Sequence, residues 1–389
     1  MKRLDFAVLV AWITISLVLA IMAFALGGVD FGVYYAAARV VVKGGNPYIY
    51  QQLMGEIVSA TGKLNNPYYY APWFTWAVIP FSLLPFQIAR ALWAAANFLF
   101  WLFGLFNLGK LISWPPTGWQ RWGIYTLVTI LFAWSTWGFD QVGILIFFMF
   151  TIALLAIDRG QWAQAGLWLA LLLFKPNITA LPVAVLAAWL LVRGRWRPVV
   201  FAGVIVAIMI GISLAVSPGW YHALFEPDKL SGLSHTLNDS GGNNVLRFNT
   251  TLTDWLAAYD ITGNLVVSLH VAVAIVGVIA VILIGLRSNS IIEVAAVSLL
   301  VEFAITPYAL FYDYPSLVVT LFHVNALPLH KPLADWGRVV LNIFIMLSLF
   351  IGDTISFRYW IVIALALLLA LTRIARKPDT ASGLALVQE

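Results

Sequence analysis

The sequence predicts an all-α, polytopic membrane protein, and three observations predict it. Of its 389 residues, 62% are hydrophobic and only 10% are charged, against about 45–50% and about 25% in soluble domains. Apolar runs recur from one end of the chain to the other, as successive membrane helices require. The basic residues, which leave a net charge of +5, fall in short clusters between those runs. Clusters so placed orient spans and do not form a nucleic-acid surface.

Taken in order, the apolar segments lie at 6–27, 71–85, 88–109, 122–137, 141–157, 162–174, 178–192, 198–216, 263–286, 291–306, 308–326, 337–351 and 357–373. The first follows "MKRLD" without a tidy small-residue cleavage site after it. It reads as a retained signal-anchor helix with Lys2 and Arg3 inside. Segment 71–85, "APWFTWAVIPFSLLP", carries three prolines and is short for a span that needs about 20 residues. Two connections are long and polar, 28–70 and 217–262. No internal repeat interrupts the pattern, so residues 1–389 read as a single integral membrane domain.

The clusters "RGRWR" (193–197), Arg287, "HKPLADWGR" (330–338) and "RIARK" (373–377) are separated by even numbers of segments. All can therefore face the cytoplasm together, with both termini. That arrangement needs an even count, so 71–85 is expected not to cross fully and about 12 crossings remain. It also gathers 28–70, "GFDQ" (138–141), "KPN" (175–177), 217–262 and "TPYALFYDYP" (306–315) on one outer face of the cell membrane.

Several residues on that face invite chemistry. Asp30 precedes "FGVYYAAARVVVKGG", a helix pattern ended by Gly44 and Gly45. Its carboxylate suits a helix N-terminus, and equally a base at the membrane lip. Burial there would raise its pKa toward the range a general base needs. Tyr34, four residues on, shares its helical face, with Tyr35 beside it. Lys175 stands before Pro176 between two short apolar runs. A charge at depth costs about 2.5–3.5 kcal/mol, so Lys175 either snorkels to headgroups or neutralises a lipid phosphate at a helix break that lines a cavity. Asp140 and Asp313 stand at the outer ends of spans, as caps or polar contacts, and Glu302 is expected to pair with a neighbouring helix. In 217–262, Arg247 offers a bidentate fork for phosphate, within either a mobile lid or an ordinary solvated loop.

The inventory also excludes. Without cysteine there is no disulfide, thiol nucleophile or thiolate metal site. The five histidines lack the spacing of a zinc helix, and no glycine-rich nucleotide loop or serine elbow is present. Neither cofactor nor metal is expected. One exposed acid, one buried cation and many aromatics suit glycosyl transfer from a lipid-phosphate sugar. Phosphate leaves without a general acid, so one base suffices where a glycosidase needs two carboxylates.

"DFGVYYAAARVVVKGGNPYIY" followed by "YYYAPWFTWAVIPFSLLP" resembles the start of glycosyltransferase family 87, and "DQVGILIFFMFTIALLAIDRGQWAQAGLWLALLLFKPN" and "TPYALFYDYP" continue the resemblance. That family belongs to the GT-C superfamily and includes polyprenyl-phosphate-mannose-dependent mannosyltransferases. The resemblance implies a GT-C-like fold with interfacial helices in the first external loop. It implies inverting transfer of a hexose or pentose from a polyprenyl-phosphate donor to a glycolipid or polysaccharide acceptor. By that resemblance Asp30 would be the base and Lys175 would lie near the donor phosphate; the residues themselves offer Tyr34, Tyr35, Gln141, Arg247 and Asp313 as candidate substrate contacts. One position departs from the family's pattern: Asp140-Gln141 stands where Gly-Gln is expected. The rival reading is a lipid-linked-sugar flippase or another carrier, for which inverted repeats would be expected. A surface-polysaccharide polymerase or ligase, sharing the donor, comes next.

Overall fold

The computed structural model describes residues 3–25, 30–62, 67–115, 118–221, 250–329, 332–350 and 355–375. Its elements are helices. The first, α1 (Arg3–Ala25), is followed by three short ones: α2 (Asp30–Val42), α3 (Tyr50–Thr61) and α4 (Pro72–Ser82). Next come α5 (Phe86–Leu111) and α6 (Gly118–Val128), which runs through a π-helical turn (Thr129–Ala133) into α7 (Trp134–Gly138). Then follow α8 (Gly143–Asp158), α9 (Trp162–Leu171), a 3₁₀ turn (Leu172–Phe174), α10 (Pro176–Val192) and α11 (Arg197–Val216). The last part holds α12 (Leu252–Ala257), α13 (Asn264–Arg287), α14 (Ile291–Ile305), a second 3₁₀ stretch (Phe311–Leu317), α15 (Val318–Ala326), α16 (Pro332–Phe350) and α17 (Ile355–Ala375).

Among the described residues, six helices (α1, α5, α11, α13, α16 and α17) are long and apolar enough to cross a membrane, and α8, α9 and α10 are shorter apolar helices. The chain is thus an all-α polytopic membrane protein. Segment 71–85 is the short helix α4, with Pro72 in its first turn and Pro80 inside it. Its 11 residues rise about 16 Å, about half of the hydrocarbon thickness. Segment 308–326, read from sequence as one apolar run, is instead a 3₁₀ stretch around Pro315 leading into α15.

Burial sorts these helices. Every residue of α14 from Ile291 to Phe303 is buried, enclosed by α10, α13, α15 and α17. The first five residues of α8, Gly143 to Phe147, are buried as well, against α5 on one side and α9 on another. By contrast, α13 buries only Val281 and exposes Val267, Val271, Ile275, Val276 and Ile279. An apolar helix so little covered by protein belongs in hydrocarbon.

Close approaches and one polar knot fix the packing. A Cβ on Gly104 would stand 2.6 Å from the Phe147 ring, and one on Gly166 2.7 Å from the Pro198 carbonyl, so α5 meets α8 and α9 meets α11 through small residues. At the π turn, the Thr129 hydroxyl accepts from the indoles of Trp12 (3.0 Å) and Trp101 (2.6 Å) and donates to the Tyr125 carbonyl (2.7 Å). Three helices are stitched there by groups that would each cost about 1–3 kcal/mol if left unpaired. The short helices α2, α3 and α4 pack on one another at the end of the bundle that holds the site.

Candidate active site

Asp30 is the first residue of α2, and its amide donates to the Phe139 carbonyl at 3.3 Å. Its side chain is only partly exposed. Gln141 Nε2 donates to Asp30 Oδ2 at 2.5 Å. The other end of that amide, Oε1, lies 2.8 Å from the Tyr34 hydroxyl and 2.9 Å from the Tyr70 hydroxyl, which are 2.7 Å from each other, so the two O–H protons are shared among three contacts. Burial raises the Asp30 pKa most, Gln141 and Lys175 draw it back, and the Asp140 and Asp313 charges raise it again, leaving it at about 6. A carboxylate so poised is ionised at neutral pH and still basic enough to take a proton.

The second arm of the site comes from the break between α9 and α10. The 3₁₀ turn ends at Lys175, Pro176 opens α10, and Thr179 donates to the Leu172 and Lys175 carbonyls (2.7 and 3.0 Å). This break is stitched to the stretch before the second 3₁₀ element: Asn177 Nδ2 donates to the Tyr308 carbonyl (2.8 Å), and Thr306 Oγ1 to the Asn177 carbonyl (2.7 Å). The Lys175 ammonium thus meets Asp313 Oδ1 at 2.5 Å. It lies over the rings of Tyr70 (5.5 Å to the centroid) and Tyr312 (5.2 Å). Asp313 is fully buried and its Oδ2 accepts from the Leu310 amide at 3.1 Å. Tyr70 joins the arms, with its hydroxyl on Gln141 and its ring face toward Lys175.

The turn between α7 and α8 explains the departure at Asp140. Its φ is +53°, a left-handed conformation that glycine adopts freely and that aspartate tolerates better than most residues. The side chain pairs with Arg90 at 2.5 Å, and the carbonyl accepts from the Trp93 indole at 2.9 Å. Burial raises the Asp140 pKa, and the Arg90 hydrogen bond opposes it. The reversal lets Gln141, whose amide donates to the Thr136 carbonyl at 2.9 Å, reach back to α2.

Of the residues singled out from sequence, Asp30, Tyr34, Gln141, Lys175 and Asp313 come together. Tyr35 does not join them: its hydroxyl donates to the Leu84 carbonyl (2.8 Å) and accepts from Arg39 (3.2 Å). Arg247 lies outside the described residues. Glu302 pairs with a neighbouring helix, as expected, accepting from the Leu181 amide of α10 at 2.8 Å. Sequence reasoning missed Tyr70 and Tyr312, hidden among aromatics assigned to interface belts. It also missed Arg90, a charge within an apolar run that should have prompted a search for its partner. Among the described residues, no three His, Cys, Asp or Glu side chains gather to hold a metal.

No curated protein and no solved structure matches this chain. The family model of glycosyltransferase family 87 matches residues 68–307. The match spans Tyr70, Asp140, Gln141 and Lys175, and leaves Asp30, Tyr34 and Asp313 outside. It covers more than half of the 389 residues, and the chain belongs to glycosyltransferase family 87, a GT-C-type family of membrane glycosyltransferases.

Proposed function

We propose that this membrane glycosyltransferase moves a hexose or pentose from a polyprenyl-phosphate sugar to an acceptor hydroxyl on a glycolipid or polysaccharide. Transfer takes place at the outer face of the cell membrane with inversion, in a single integral membrane domain with two long external loops, 28–70, which carries Asp30, and 217–262. Asp30 takes the proton of the acceptor hydroxyl as that oxygen bonds to the anomeric carbon. The bond from that carbon to the phosphate oxygen breaks, and its electron pair leaves with the phosphate. Lys175 lies beside the departing charge, where a fixed cation stabilises it without reorganisation.

The observation that carries this reading is the placing of one half-buried acid and one buried ammonium in a single cluster. The acid, poised at about 6, can accept a proton. The ammonium has an anionic partner in Asp313 but donates three hydrogens in all, so a phosphate can share it. The rings of Tyr70 and Tyr312 beside it suit the apolar faces of a sugar.

The test is transfer of radiolabelled sugar in membranes supplied with polyprenyl-phosphate donors. Asp30→Asn keeps the shape and removes the base. Activity is expected to fall at least about 100-fold with the amount of folded protein unchanged. Normal turnover by that variant would move the base to another residue, and a wild type that transfers from no donor would favour a carrier.

A further inference from the structure

The geometry points to Gln141 as a positioning residue. We propose that its side-chain amide, locked by the hydroxyls of Tyr34 and Tyr70, fixes the direction in which the Asp30 carboxylate faces the acceptor. This rests on Asp30 being the base, and it reassigns Gln141 and Tyr34 from substrate contacts to the scaffold of that base.

An amide has two chemically different ends, and here each meets a different environment. Oε1 faces the Tyr34 hydroxyl at 2.8 Å, the Tyr70 hydroxyl at 2.9 Å and the Val142 amide at 3.3 Å, and accepts from the amide and from one tyrosine while the other tyrosine donates to its neighbour's oxygen at 2.7 Å. Nε2 faces Asp30 Oδ2 at 2.5 Å. Turning the amide over would set its carbonyl oxygen against a carboxylate oxygen and its NH₂ against the Val142 N–H. Both contacts repel, so one orientation is selected from both ends.

The Tyr34 half of the lock is itself packed in place. Tyr34 is 1% exposed, with its ring edge-on to Tyr70 (4.8 Å, 76°) and Phe74 (5.2 Å, 83°). Because Tyr34 follows Asp30 by one helical turn, α2 carries both the base and part of the clamp that holds it. With Oδ2 held, the carboxylate cannot rotate freely about its Cβ–Cγ bond, and Oδ1 keeps a constant direction. Orientation of a reacting group is among the larger contributions an enzyme makes. Oε1 of Gln141 and one of the two Nε2 hydrogens are already committed inside the protein.

The same contact sets when the base is ionised. Charged and titratable groups reach Asp30 from every side: Lys175 before α10, Asp313, Tyr308 and Tyr312 from the stretch after α14, Asp140 from the turn before α8, Tyr34 from α2 and Tyr70 from before α4. Removing the Gln141 hydrogen bond, which favours the ionised form, raises the Asp30 pKa.

The experiment compares wild type, Gln141→Met, Tyr34→Phe/Tyr70→Phe and Asp30→Asn, all full-length in membranes, with a polyprenyl-phosphate sugar as donor. For Gln141→Met, kcat is expected to fall roughly 10- to 100-fold, KM for the donor to change less than about twofold, and the acid limb of the kcat profile to move above about 6. The double tyrosine variant keeps both rings and is expected to lose kcat in the same direction, by less. A raised KM with unchanged kcat and an unmoved acid limb would overturn the proposal and make Gln141 a substrate contact. If Gln141→Met does not fold, the tyrosine variant decides, and wild-type kcat there also overturns it. Asp30→Asn separates the two ideas. Its inactivity alongside a wild-type profile for Gln141→Met removes only the positioning role, whereas its normal turnover removes the base itself.

Discussion

Two buried ion pairs stand near Asp30, and they differ in what they leave unspent. Arg90–Asp140 and Lys175–Asp313 each close at 2.5 Å, and in each the acid sits in a turn that a helix must reach. Arg90 is tied on a second side: it also donates to the Phe24 carbonyl at 2.8 Å and lies 4.4 Å over the Phe24 ring. Asp140 is tied on a second side too, its main-chain carbonyl accepting from the Trp93 indole. Lys175 instead sets a compact ammonium beside the rings of Tyr70 and Tyr312. A guanidinium fork suits a closed structural joint, and a point charge with rotatable donors suits one that a second anion can share. Identical separations therefore carry different work.

Replacing both partners of each pair breaks the comparison most strongly. Lys175→Met/Asp313→Asn removes the uncompensated charge as well as the cation, so the protein is expected to fold while transfer falls at least about 100-fold. Arg90→Met/Asp140→Gly restores the glycine that the turn's conformation favours and is expected to keep transfer within about threefold of wild type. Both are read as transfer per folded molecule in membranes. If the two double variants lose activity equally, the distinction between the pairs is wrong.

Breaking one pair halfway tests burial. Arg90→Met alone strands Asp140, which is 3% exposed, and is expected to cost about 3–5 kcal/mol. Thermal unfolding in detergent measures it, and the added Asp140→Gly change should recover most of the loss. Recovery below about 1 kcal/mol would show that Arg90 holds the turn through Phe24.

The smallest effects lie in pH. On the proposed reading ionised Asp30 is the active form, so transfer is expected to fall as pH drops through about 6, approaching tenfold per unit below it. Asp140 raises the Asp30 pKa and Lys175 lowers it, more than Asp313 raises it. The Arg90/Asp140 double variant should therefore shift the acid limb down and the Lys175/Asp313 variant shift it up, each by less than about one unit. Shifts in the same direction would contradict the placing of these charges around the base.

The helical membrane fold was legible in the sequence because hydrocarbon imposes long apolar runs, and α1, α5, α11 and α13 follow the predicted segments closely. Segment 71–85 was also legible as an anomaly, through its length and prolines. In α14 and at the start of α8 protein covers every side and periodicity vanishes, yet segments 291–306 and 141–157 still fall within two residues of the helices Ile291–Ile305 and Gly143–Asp158. The inner element that was not legible was the 3₁₀ stretch within 308–326. At the site, Asp30 and Lys175 could be singled out, because a lone charge among apolar residues is conspicuous. Gln141 and Asp313 were singled out too, as substrate contacts, but their pairing with these two charges was not legible. Gln141 is 111 residues from Asp30 and Asp313 is 138 from Lys175, and no spacing rule reaches that far. Tyr70 was visible only as one tyrosine in "YYY", and its role depends on which two elements it faces.

Gly143 opens α8 directly beneath the second 3₁₀ stretch. A Cβ there would stand 2.1 Å from the Tyr312 carbonyl oxygen, and the Thr136 hydroxyl donates to that same oxygen at 2.8 Å. A methyl group would wedge the stretch away from α8, carrying Asp313 and Lys175 with it and leaving Asp30 and Gln141 behind. The span between base and cation is thus gauged by an atom the chain lacks. On the proposed reading, that gauge matches the reach from acceptor oxygen to departing phosphate, which is common to every sugar. Variety among sugars accepted on such a scaffold must then be written into the walls, while the ruler stays in the backbone.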